Sequence, residues 1–116
     1  MDRAVFVYTT FPGLVEAEAA VKAILERRLA ACANILPSMV SHYWWKGRLE
    51  RAEEVVVIFK TRAGLADDLS ASLRGLHPYE VPAIATLPVE SMDRDYLAWL
   101  LAETETAAGR GPAAVS

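Results

Sequence analysis

Three side chains of this 116-residue sequence combine a chemically capable type with a setting that could put it to use: Cys32, His77 and Glu80. Cys32 stands where a helical pattern gives way to an extended one. A thiolate there would bind soft Cu(I), and near a helix end or a cation it would be reactive. Flanked by Ala31 and Ala33, the same thiol also reads as a small buried hydrophobe. His77 follows a predicted helix end and precedes the rigid Pro78, with Glu80 close enough to serve as an oxygen ligand or to orient the imidazole. Its alternative is a helix-terminating corner whose ring bonds backbone. Closed metal sites need about four ligands, so these donors within one chain make a poor binder, and any metal site would have to be completed by a neighbouring subunit. His42 reads as a strand histidine with its ring hydrogen-bonded before it reads as a ligand.

Acid chemistry has weaker support. Glu50, Glu53 and Glu54 could be taken for paired catalytic carboxylates, but Glu53 and Glu54 fall on opposite faces of a predicted strand. They read as a solvated turn region, with Glu54 available to a cation across a subunit boundary. No nucleophile triad, phosphate-binding loop or dinucleotide fingerprint is present, so the chain does not read as an enzyme.

The elements that position these residues follow from periodicity. Arg3 to Thr10 reads as a strand closed by Phe11-Pro12-Gly13, and Leu14, Ala17, Val21, Ile24, Leu25 and Arg28 place a helix after it. Ala31 to Lys60 then reads as a long hairpin turning at Trp45-Lys46-Gly47-Arg48, with a bulge or bend at Pro37. Beyond that bend, alternation sets Ser41, Tyr43 and Trp45 on one face and His42 and Trp44 on the other. The run Val55-Val56-Val57-Ile58-Phe59 is apolar on both faces. With arms of about 13 residues at roughly 3.3 Å each, the hairpin is on the order of 43 Å long, against roughly 35 Å for the diameter of a compact domain of this size. It therefore overhangs its own domain. Tyr43, Trp44, Trp45, Val55, Val57 and Phe59 are the expected contacts to another subunit, ahead of a role for the aromatics, with Tyr79, in a ligand cleft.

A second helix fits Gly64 to Arg74, with Gly75 as its stop; Pro78 and Pro82 bracket a link to a fourth strand, Ala83 to Val89. Asp93 caps a last helix bearing Tyr96, Leu97, Leu100 and Leu101, with Trp99 on its flank. The order strand, helix, strand, strand, helix, strand, plus an extra C-terminal helix, is the α+β, ferredoxin-like βαββαβ sandwich with a long β2–β3 hairpin. Residues 1–106 make one domain, and the Gly/Pro/Ala-rich 107–116 read as a disordered tail.

Composition narrows the partners. A net charge of −3 with interspersed signs gives no basic footprint for nucleic acid. No apolar run approaches the roughly 20 residues of a membrane span and no signal-peptide layout opens the chain, so a cytoplasmic location is expected. A single cysteine agrees with a reducing compartment.

Several long segments in fixed order carry a likeness to one family: Arg28 through Ile35, Ser41-His42-Tyr43-Trp44-Trp45-Lys46-Gly47, Glu54 through Thr61, His77-Pro78-Tyr79-Glu80-Val81-Pro82, and Tyr96-Leu97-Ala98-Trp99. Over about residues 4–101 the chain resembles the CutA, or divalent-cation tolerance, proteins. The resemblance implies a ferredoxin-like subunit in a compact homotrimer held by the long hairpins, similar in architecture to the PII signal proteins. It implies copper or another divalent ion as associated ligand, no required cofactor and no catalytic activity. Members described as binding copper use a cysteine on the first strand and adjacent histidines at the His-Pro motif; here Tyr8 and Leu76 stand in those places, and only His77 carries over. Two alternatives accompany the metal reading: a PII-like module taking a small metabolite or protein partner at inter-subunit clefts, and a very stable structural oligomer without a ligand.

Overall fold

Four strands and three helices follow one another as β1 (Ala4–Phe11), α1 (Leu14–Glu26), β2 (Cys32–Trp45), β3 (Arg48–Arg62), α2 (Ala66–Leu76), β4 (Ile84–Pro88) and α3 (Arg94–Glu103), with one 3₁₀ turn, Ala63–Leu65, leading into α2. They come from a computed structural model that describes residues 2–105; the expected tail, 107–116, lies outside the described residues. The strands form one antiparallel sheet in the order β2-β3-β1-β4, which is the expected ferredoxin-like arrangement.

Strand alternation sorts the side chains onto two faces. Val7, Phe11, Val57 and Phe59 point toward α1 and α2, where they pack with Ala17, Ala20, Ile24, Leu69 and Leu73 into the core. This corrects one expectation: Val55, Val57 and Phe59 are buried within this chain, not presented to a second subunit. The apolar run on β3 is two-sided because its odd positions fill the core. Val56 and Ile58, paired with Leu36 and Asn34, lie on the opposite face.

That second face is closed at one end by α3. Asp93 caps the helix by accepting from the Tyr96 N–H at 3.0 Å, and Leu100 is its fully buried residue. Arg62 ties the helix down, donating to Thr104 Oγ1 at 3.1 Å and to the Leu101 carbonyl.

The hairpin turns on Lys46 and Gly47, with φ of 49° and 78°. Two consecutive left-handed residues make the tight turn whose twist matches that of the strands. At Pro37-Ser38 the register slips, two residues of β2 standing against Val55 alone, and Ser38 takes φ 68°. This is a bulge, needed because Pro37 has no N–H for the ladder. Strand β1 ends with Phe11 opposite Val55. From Glu54 outward β2 and β3 therefore continue as a two-stranded ribbon of about seven residues per arm, about 23 Å long, and the long axis reaches 54 Å against 29 and 22 Å across.

Smaller differences have local causes. Helix α1 buries Ala20 and leaves Leu14 exposed, and Arg28 has left the helix at φ 59°. Helix α2 runs through Gly75 to Leu76. It ends because His77 precedes Pro78 and is held extended, at φ −80° and ψ 133°.

Candidate functional site

The end of α2 places His77 against the C-terminal end of β1. Its ring stacks on Phe11, centroids 4.4 Å apart and planes 12° from parallel. Nε2 donates to the Thr10 carbonyl at 2.7 Å and lies 3.2 Å from Thr9 Oγ1, while Nδ1 accepts from the Tyr79 N–H at 3.2 Å. Because a carbonyl only accepts and an amide N–H only donates, these partners fix the neutral Nε2–H tautomer. Burial lowers the pKa of His77 below the usual histidine value, only partly opposed by its bond to Thr10 and by the charge of Glu54. Both nitrogens are committed, so His77 is a corner that ties α2 to β1, and it offers no free lone pair to a metal.

The chain then turns round the end of β1 from the helical face to the opposite one. Tyr79, tilted against His77 with centroids 5.1 Å apart, donates its hydroxyl to Glu54 Oε2 at 2.7 Å. Burial, and then the neighbouring Glu54 carboxylate, push the Tyr79 pKa far above its ordinary value. Glu54 is not the solvated turn residue expected from sequence: it is 9% exposed, at the point where the hairpin leaves the sheet. Its signal lay in the period of β3, where Glu54, Val56 and Ile58 share a face. Tyr79 as its partner had no local signal, since 25 residues separate them.

In the angle between ribbon and sheet lies a cleft of about 520 Å³. Tyr8, Tyr43, Trp45, Glu54, Tyr79 and Glu80 are among its lining residues. His42 also borders it. Trp44 is on the other side of the ribbon, 73% exposed, with its register partner Leu49 63% exposed. Glu50 and Glu53 are out along the ribbon, Glu53 within 4.0 Å of Arg51.

Cys32 lies elsewhere. It pairs with Lys60 at the opposite end of the sheet, half-buried under α3, with Sγ 3.8 Å from the Tyr96 hydroxyl. Lys60 donates to the same hydroxyl at 3.3 Å and sits over the Phe6 and Tyr96 rings. Phe6, opposite Lys60, and Thr10, at the His77 corner, are four residues apart on β1, or about 13 Å, and Cys32 and His77 are on different faces. The structure does not bring the three sequence candidates together. Among the described residues no group of three His, Cys, Asp or Glu side chains is placed to hold a metal ion, and no helix is long and apolar enough to cross a membrane.

Comparison with known proteins gives a consistent result. Residues 5–103 match the family described as CutA1 divalent ion tolerance protein. The divalent-cation tolerance protein CutA of Pyrococcus horikoshii is 46% identical over 101 residues, 87% of this chain and 98% of the relative. Protein CutA of Mus musculus is 39% identical over 106 residues, 91% of this chain but 60% of that longer protein. The structure of a protein described as the periplasmic divalent cation tolerance protein CutA of Archaeoglobus fulgidus superposes with a TM-score of 0.85 at 37% identity, covering 88% of this chain and 99% of the other.

Proposed function

Since the chain belongs to the CutA1 divalent ion tolerance family, we propose that it serves divalent-ion tolerance as a homotrimer assembled through its projecting hairpin. The observation that carries this reading is the ribbon beyond Glu54, which has no third strand beside it and exposes Trp44, Leu49 and Val40 on one side. Leaving such a surface in water is unfavourable, and a closed ring of copies in which each ribbon is covered head-to-tail by a different surface of its neighbour removes that apolar area from water in every copy. Three copies is the number that the family likeness implies. Tyr43 and Trp45, on the other side of the ribbon, border the cleft.

Copper or another divalent ion as a resident ligand does not fit the donors of one chain. His77 has both nitrogens bonded, Cys32 sits on a different face, and Glu80 is exposed on the link after α2. No step is therefore assigned to a bound metal, and any ion contact belongs to subunit boundaries. The family is named for tolerance, not for a reaction. A cytoplasmic setting suits the lone, half-buried Cys32.

The test is sedimentation equilibrium at micromolar concentration. The reading expects three times the chain mass, and dissociation in a Trp44→Asp variant that keeps its far-UV circular dichroism. A monomeric wild-type protein would overturn it. Titration with Cu(II) and Cu(I) against a competing chelator should give affinities unchanged by His77→Ala or Cys32→Ala.

A further inference from the structure

The cleft beside the hairpin combines aromatic and acidic side chains. Four aromatic side chains, Tyr8, Tyr43, Trp45 and Tyr79, border it, and its lining includes no lysine or arginine. Its carboxylates are Glu54 and Glu80, and His42 is its one basic lining residue. Glu54 is almost fully buried, yet among the described residues its one hydrogen-bond partner is the neutral Tyr79 hydroxyl, and no cation stands within ion-pair distance.

A carboxylate withdrawn from water without a counter-charge is costly, and a cationic ligand offsets that cost. Aromatic faces attract the same kind of ligand, because their quadrupoles are negative above the ring. An anionic metabolite would meet two carboxylates and four ring faces. A bare divalent ion is disfavoured, because among the described residues Glu54 and Glu80 belong to no group of three His, Cys, Asp or Glu side chains placed to hold one. The volume decides between an ion and a molecule: about 520 Å³ is within the range of small-molecule sites, roughly 300–1,000 Å³.

We propose that this cleft binds a small organic ammonium compound with an apolar body, its cationic nitrogen at Glu54 and its hydrocarbon part between Tyr43, Trp45 and Tyr79. Glu54 supplies charge recognition. Tyr79 holds that carboxylate in place and is itself anchored through the His77 corner, so the site is preorganised by the fold.

Calorimetric titration of the native oligomer at pH 7.5 with phenethylamine, 2-phenylethanol and 3-phenylpropionate tests this, because the three probes share a shape and differ in charge. Saturable binding of the amine at one per chain is expected, at least tenfold tighter than the alcohol, with the carboxylate weakest. Glu54→Gln keeps an acceptor for Tyr79 and should bring the amine-to-alcohol ratio to about one. Equal affinities for the three probes, or a ratio unchanged by Glu54→Gln, would overturn the proposal. So would the absence of amine uptake together with dissociation of the oligomer by Glu54→Gln, which would identify a cation of a second copy as the occupant. If Glu54→Gln does not fold, Trp45→Leu on the exposed ribbon takes its place: the ratio should fall several-fold, and an unchanged ratio refutes the site.

Discussion

His77→Ala separates a structural corner from a metal ligand, and its cost can be worked out from the contacts it removes. The substitution deletes a parallel stack on Phe11, the kind of aromatic pair that contributes about 0.5–1.5 kcal/mol. It also deletes the bonds to the Thr10 carbonyl and the Tyr79 N–H, each contributing about 1 kcal/mol net. The expected loss is about 2.5–3.5 kcal/mol, which for a domain of this size lowers the melting temperature by roughly 10–15 °C. Thermal and urea unfolding at pH 7.5 and equal chain concentration would measure it, the concentration being fixed because association contributes to apparent stability. The dependence on pH gives a second reading. Burial depresses the pKa of His77 in the folded chain, so below about pH 6.5 the unfolded chain takes up the proton first. Stability from the corner is thus fully present above that pH and is lost as pH falls toward the folded-state pKa. The difference between wild type and His77→Ala should therefore be largest at neutral pH and shrink in acid. A loss below about 0.5 kcal/mol, well short of one net hydrogen bond, or a difference that grows on acidification, would refute the corner.

Other predictions follow from burial and backbone geometry. Val57→Asp puts an unpaired charge at a fully buried position and should abolish folding by circular dichroism, whereas Trp44→Asp should leave a folded chain that no longer assembles. Asp93→Ala removes the cap of α3 and should cost about 1 kcal/mol in urea unfolding. Gly47→Ala meets open space but a φ of 78°, so it should cost about 1 kcal/mol from backbone strain alone, with Gly47→Asn better tolerated.

Features legible in the sequence and features that were not divide along physical lines. Helix and strand periodicity, the Pro37 bulge, the Lys46-Gly47 turn and the Asp93 cap were all legible, because each depends on residues a few positions apart. The overhang was legible too, since it follows from the length of two apolar arms. Which side of β3 faces inward was not. Val55, Val57 and Phe59 were expected at a contact to another subunit, and packing under α1 and α2 assigned these odd positions to the core instead. His77 carried a ligand's chemistry in sequence and lost it to the ends of β1 and α2. Sequence by itself determined the fold, the family likeness and the projecting hairpin, through local spacing and segment length. Tertiary structure alone decided that Cys32 and His77 lie on different faces and that Glu54 is buried under Tyr79, because both depend on which distant strands and links the fold sets side by side.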